Sequence, residues 1–371
     1  MTQTVLLIGG GHAHVAVLAD WIVRGVPPGT RAVLLTPQPT LRYSGMVPGW
    51  IAGQHSRDAG LVDLAALARR AGAQLVLDRC VGIDAQARVV TTAGGARLSF
   101  AIASIDTGGE GRGAALLGDD PRLIEVRPIG GFVDRLTQQP AFERVVVAGG
   151  GAGGVELAFA LRNPGRNLTA APKRPEVALV AGRGGLLPGF TPAVRGKVAR
   201  ALARQGIALH HGDARIADGA IMAGDASLEP ADAIIAAVGS AAPKWARASG
   251  LEVDAAGVIA VDAQQQSPSH PHIFAAGDVA ARTDRPLAHS GVHAVFAGPV
   301  LAKNLRAALA GEAPHAAYHP RWNNLYLMNT GDGRAIASYG RLAAEGAWVL
   351  RLKHGIDKRW IAKYAALAKQ P

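Results

Sequence analysis

The apolar residues of this chain gather in short unbroken runs instead of alternating with polar ones. Val5–Ile8, Ala32–Leu35, Val145–Ala148 and Val177–Val180 are such runs, rich in valine, leucine and isoleucine. A short run without alternation predicts a strand covered on both faces, as in a parallel sheet flanked by helices. Two of the runs end in glycine: residues 5–15 read VLLIGGGHAHV and residues 145–155 read VVVAGGGAGGV. An alanine-rich segment of helical character follows each. The chain therefore repeats a strand–turn–helix unit. In each turn the first and third glycines, Gly9 with Gly11 and Gly149 with Gly151, let the backbone reverse and bring N–H groups against a pyrophosphate, with the positive end of the helix behind them. Further strands are predicted at 257–262 and at the start of IFAAGDVA (273–280), ahead of a helix near His293–Leu305. The expected class is α/β, with two Rossmann-like dinucleotide-binding domains and a small C-terminal region.

Composition narrows this. The 371 residues suffice for two or three domains, and a hydrophobic fraction of 49% can fill their cores. The net charge of +11 asks for acidic partners. Phosphate-bearing cofactors meet that need, and no basic run interleaved with aromatics points to nucleic acid. Met1-Thr2-Gln3 runs straight into the first strand and no apolar stretch is long enough to span a bilayer, so a cytoplasmic protein is expected. The single cysteine, Cys80, excludes a disulfide framework and a paired-thiol redox centre within the chain, and argues against a cysteine metal cluster; no metal site is expected. Cys80 reads as a small buried hydrophobe.

The two glycine turns, LSFAIASIDTGG (98–109), GVELA (154–158), ADAIIAAVGSAAP (231–243) and IFAAGDVA resemble, in this order, the FAD-dependent pyridine nucleotide-disulfide oxidoreductase superfamily of two-dinucleotide-binding-domain flavoproteins. Within it, YSGMVPGWIAG (43–53), SGVHAVFAG (290–298) and LYLMNTGDGRAIASYG (325–340) resemble the NADH-dehydrogenase-like flavoproteins associated with, and sometimes fused to, selenide, water dikinase; the likeness to type II NADH:quinone oxidoreductases is more distant. The resemblance spans nearly the whole chain. It implies FAD in an outer domain (1–118 and 246–310), NADH or NADPH in an inserted domain (119–245), and an interface or acceptor region over 311–371.

For FAD the resemblance implies Gly9 and Gly11 at the pyrophosphate, with His14 where a third glycine is usual. His12 and His14 are candidates to lend positive charge there, or are merely tolerated. Thr36 stands where an acid usually binds the ribose, so FAD is expected to be held weakly. Tyr43, Ser44, Met46 and Pro48 occupy the place where disulfide reductases carry redox cysteines against the flavin. Gly277 and Asp278 are expected on the ribityl chain. Thr107, Gly108 and Val292 lie in the matching segments, and a helix start near SGVHAVFAG would favour reduced flavin, with His289 and His293 as proton donors or as plain packing residues. For the nucleotide it implies Gly149, Gly151, Gly154 and Gly239, with Glu156 beside the nicotinamide, although the helix dipole alone also favours an acid there. Ala181-Gly182-Arg183 lacks the usual ribose acid, and Arg183 suits a 2′-phosphate or is plain surface; NADPH is accordingly expected to be tolerated or preferred.

Ile356, Trp360, Tyr364 and Leu367 recur at helical spacing among Lys353, Lys358, Arg359, Lys363 and Lys369, a pattern for an anionic membrane face or for packing on the protein body. The implied activity is hydride transfer from NAD(P)H to FAD, then electron delivery straight to an acceptor, foremost a quinone. Sulfide:quinone chemistry, which needs cysteines to carry sulfur, is disfavoured. A flavoenzyme acting on a selenium, sulfur or other specialised metabolite is one alternative; a nucleotide sensor or scaffold with negligible turnover is another.

Overall fold

The computed structural model describes residues 2–139, 141–165, 174–287 and 291–369. In chain order the main strands are β1 (Gln3–Ile8), β2 (Thr30–Thr36), β3 (Ala73–Leu77), β4 (Ile102–Ile105), β5 (Leu123–Glu125), β6 (Arg144–Ala148), β7 (Glu176–Val180), β8 (Ala208–His210), β9 (Ala233–Ala236) and β10 (Ile273–Ala275). They form two parallel five-stranded sheets, ordered β10-β4-β1-β2-β3 and β5-β9-β6-β7-β8. All strands of the second sheet fall between β4 and β10 of the first, so one sheet is nested in the other along the chain. The unbroken apolar runs are the central strands, and Val5, Leu6, Leu7 and Ile8 have no exposed surface. Each glycine turn leaves the central strand of its sheet, β1 or β6, where strand order reverses. That is where parallel α/β sheets bind ligands.

Three helices bear on the site, the first and third of them starting at the two glycine turns. These are α1 (His12–Arg24), α2 (Val47–Ile51), and α3 (Ala152–Arg162). Late in the chain come α4 (Gly291–Leu309), an antiparallel sheet of β11 (Tyr326–Asn329), β12 (Ala335–Tyr339) and β13 (Leu342–Gly346), and α5 (Ala347–Lys369). Helix α4 lies on α1 at Gly298, where a Cβ would stand 2.7 Å from Ala16 Cβ and 3.0 Å from Ala13 Cα. Only glycine permits that approach. The two segments that cross between the nested sheets pair antiparallel, Glu110 with Ala241 and Gly111 with Ser240.

Helix α5 resolves the C-terminal stripe. Tyr364 is buried in the core around α1, with Trp360 and Leu367 packed against it. Ile356 faces outward with Trp348 and Leu352, at 40%, 52% and 43% exposure. Lys353 is no part of a solvated basic face, as its place in the sequence suggested; it is buried. Among the described residues no helix is long and apolar enough to cross a membrane.

Candidate cofactor and redox site

At the second turn, Gly149 has φ +131° and a Cβ there would meet Ala237 O at 2.2 Å. A Cβ at Gly154 would meet Gly149 O at 1.9 Å, which is the close helix–strand packing the third glycine exists for. By contrast a Cβ at Gly151 or Gly153 meets nothing, and α3 starts with no side-chain cap. Among the described residues no side chain accepts from its first N–H groups, a start suited to an anion. Gly239, at φ +84°, follows β9 beside the paired crossover. Arg183 does not stand free for a phosphate: it is ion-paired with Asp213.

At the first turn, Gly9 has φ +97° and a Cβ would lie 2.4 Å from Asp106 O. Here the helix start is already satisfied. Asp106 Oδ2 accepts from Ala13 N at 2.7 Å and His14 N at 3.0 Å. Burial pushes the Asp106 carboxyl up to about 7, against the pull of those two N–H groups, and Asp278 pushes it the same way. His14 fills the missing glycine's place by tucking under the turn. Its Nδ1 donates to Gly9 O at 2.6 Å, so its Nε2 accepts from Ser104 Oγ at 2.9 Å. Burial lowers both His12 and His14 to about 4. Of the two readings, a positive charge at neutral pH does not hold, because desolvation keeps both rings neutral. Thr36 is buried at the end of β2, its hydroxyl donating to Gln38 O at 3.3 Å. Thr107 and Gly108 (φ +69°) continue past Asp106, with the Thr107 hydroxyl donating to Gly108 O.

Between the turns lies an array of which Glu156, Tyr43 and His12 were anticipated as site residues. Glu156 Oε1 accepts from Asn329 N at 2.8 Å and lies 3.7 Å from Lys353 Nζ. Lys353 Nζ lies 3.6 Å from Asp357 Oδ2, one helical turn along α5. Asp357 in turn lies within electrostatic reach of the Tyr43 hydroxyl. Burial raises the carboxyls of Glu156 and Asp357, with Lys353 opposing. Burial works against the Lys353 charge, yet the two carboxylates outweigh it and hold its proton more firmly. Tyr43 also holds its proton more firmly, but there burial is the first cause and Asp357 the second, both acting in one direction. Its ring stacks on Trp360 with centroids 4.8 Å apart, and Trp360 lies 5.2 Å from the His12 ring. The array thus runs from the helix of the second turn to the first residue of α1. Ser44 and Met46 form one tight turn after Tyr43, and Pro48 sits in the first turn of α2, where its missing N–H is harmless.

A third group borders a cleft of about 410 Å³ lined by Gln265, Gly277, Asp278, His293 and Tyr318. Gly277 has φ +74°, and a Cβ would lie 2.8 Å from Asp106 Oδ1. Asp278 Oδ2 is paired with Arg127 Nη2 at 3.0 Å. His293 shares a hydrogen bond with Tyr318 Oη at 2.8 Å, and burial lowers it while Asp278 opposes. Val292 lies in the same first turn of α4; His289 is outside the described residues. These residues fit FAD. The glycine turn admits no side chain, Asp278 offers a carboxylate for hydroxyl groups, and the buried His12 Nε2 and Gln265 Oε1 have no partner among the described residues. Sequence reading missed Asp106, Arg127, Asp213, Lys353 as a buried ion, and Asp357. A charged residue at the end of an apolar strand, as in SIDTGG, was the available signal for Asp106.

The solved structures most like this one include the sulfide:quinone oxidoreductase of Aquifex aeolicus, with a TM-score of 0.76 and 16% identity over 98% of this chain and 92% of that one. The ferredoxin reductase of the CYP199A2 system of Rhodopseudomonas palustris matches with a TM-score of 0.69 and 22% identity, over 90% and 81% of the two chains. The water-forming NADH oxidase of Lactobacillus brevis matches at 0.70 and 18%, over 91% and 75%. Identities this low establish the fold alone. No curated protein matches the chain in sequence. The family model for pyridine nucleotide-disulphide oxidoreductases matches residues 3–298. The chain belongs to that family, and is an FAD-dependent NAD(P)H oxidoreductase with one dinucleotide-binding fold nested in another.

Proposed function

We propose that the chain accepts hydride from a nicotinamide nucleotide at the second glycine turn and passes electrons through FAD at the first, directly to a small acceptor, foremost a quinone. The domains drawn at 1–118 with 246–310, and at 119–245, are the bodies that would hold FAD and nucleotide. FAD supplies the hydride acceptor and the electron outlet. The open start of α3 supports nucleotide binding through backbone N–H groups. Glu156 is pinned by Asn329 and Lys353 just beyond that turn, so its carboxylate cannot swing away. Lys353 and Tyr43 hold their protons firmly, with Asp357 beside both, at the segment 43–48 where a redox disulfide is absent. The observation that carries the reading is this buried array of Glu156, Lys353, Asp357 and Tyr43, which joins the two turns with no thiol in it. Cys80 is no substitute, since burial pushes its thiol up to about 12.

The outer side of α5 supports a lipid-dissolved acceptor. Trp348, Leu352 and Ile356 are exposed at four-residue spacing, with Arg351, Lys358 and Arg359 exposed among them, a face suited to an anionic membrane surface. The test is anaerobic mixing with NADH and NADPH, followed by a panel of quinones and of selenium and sulfur compounds. Bleaching of the flavin and rapid reoxidation by a quinone support the reading. If neither nucleotide bleaches the flavin, it fails. Co-sedimentation with anionic but not zwitterionic vesicles checks the membrane face.

A further inference from the structure

The end of β7 lacks its own ribose-binding acid, but a carboxylate stands beside it all the same, supplied by the next strand. Gly182, just past β7, bridges antiparallel to Gly212, just past β8. This sets Asp213 alongside Arg183. Asp213 Oδ1 accepts from the Arg183 backbone N–H at 3.1 Å, and its Oδ2 is ion-paired with Arg183 Nε. The backbone hydrogen bond fixes the carboxylate in place. The guanidinium is far looser, with the Arg183 side chain 88% exposed and that of Asp213 55% exposed. Both groups therefore face solvent beyond the carboxyl ends of β7 and β8. In this kind of sheet the adenosine ribose lies at the end of the strand after the glycine turn.

We propose that Asp213 makes the inserted domain select NADH over NADPH. The proposal rests on the second glycine turn binding a nicotinamide nucleotide. A carboxylate at this place accepts hydrogen bonds from the ribose hydroxyls and repels a 2′-phosphate. It also occupies the cation that a 2′-phosphate would need, because Arg183 must leave Asp213 before it can form a forked pair with phosphate oxygens. Arg183 read in sequence alone favours NADPH; Arg183 neutralised by Asp213 reverses that preference. The acid has moved to the neighbouring strand, where the usual spacing from the glycine turn does not reveal it.

The experiment uses the flavin-loaded protein and two readouts. Calorimetric titration with NAD⁺ and NADP⁺ gives binding ratios without any reaction. Anaerobic flavin reduction by NADH and NADPH gives half-saturation concentrations. The wild type is expected to favour the non-phosphorylated nucleotide by roughly tenfold or more, as one charge-assisted contact implies. Asp213→Asn keeps an acceptor for the Arg183 N–H and removes the charge. It is expected to shift the ratio toward NADP⁺ by roughly tenfold, mainly by tightening NADP⁺. Adding Arg183→Ala to that variant is expected to abolish the gain. A wild type that prefers NADP⁺, or a ratio unmoved by Asp213→Asn, overturns the proposal. Failure of both reduced nucleotides to bleach the flavin, with the calorimetric ratios shifting as expected, instead counts against the electron-transfer reading and supports the role of Asp213.

Discussion

At the first glycine turn the N–H groups of Ala13 and His14 are accepted by Asp106, and His14 seals the gap behind them. At the second, α3 begins with exposed Gly151 and no side chain at its start. With FAD at the first turn and the nucleotide at the second, as proposed, one sequence pattern would serve two different duties. A cofactor that stays can share a closed, internally bonded turn. A co-substrate that enters and leaves at every turnover needs donors that water has been holding open. The difference lies in one residue outside either motif, the acid at the end of the neighbouring strand.

The largest effect expected from this comparison comes from adding one methyl group to each turn. Gly154→Ala places a Cβ against the backbone of Gly149, which cannot give way, so the inserted domain should lose nucleotide binding and its cooperative melting. Gly11→Ala meets only the Asp106 carboxylate, at 2.3 Å, a side chain that can move. It should be milder, and Asp106→Ala in the same chain should restore much of the loss. Thermal unfolding and flavin content measure both, and equal damage from the two alanines would break the distinction.

Next in size is Lys353→Met, which leaves Glu156 and Asp357 buried without their cation. A loss of about 3–5 kcal/mol is expected in chemical denaturation, as for other buried pairs stripped of one member. Glu156→Gln added to it should cost less than the sum of the single changes.

Asp106 gives a pH signature that the second turn lacks. Its carboxyl is raised in the folded chain from 3.8 to about 7, so between those values the folded state binds a proton that the unfolded state has released. Stability from this group therefore falls as pH rises through that window. Asp106→Asn should flatten the slope and hold FAD more firmly at pH 8, read as flavin absorbance per protein after gel filtration. The smallest effect is at Cys80: with its thiol pushed up to about 12, alkylating reagents and Cys80→Ser should leave NAD(P)H oxidation unchanged.

Strands and turns were legible because burial on both faces leaves a local record, an apolar run stopped by glycine. That one sheet is nested in the other could be read from the order of the motifs. The inward stripe of Trp360, Tyr364 and Leu367 was legible as a pattern, but its two destinations share one periodicity. What could not be read depends on contacts between distant segments. Lys353 looks like any lysine in a basic helix until Glu156 is packed against it. Asp213 gains its meaning only through the bridge between Gly182 and Gly212. The charge on His14 stayed open between two readings because sequence shows a titratable ring without showing that the ring is dry.

The packing of Trp360 against Tyr43 and His12 has a consequence for biosynthesis. The inserted domain is one continuous stretch and can fold as it leaves the ribosome, while the first sheet waits for Ile273–Ala275 to be translated. The aromatic wall beside its glycine turn waits longer still, until α5 is made. Nucleotide affinity should thus be present in chains stalled midway through synthesis, whereas durable flavin capture belongs to the released polypeptide.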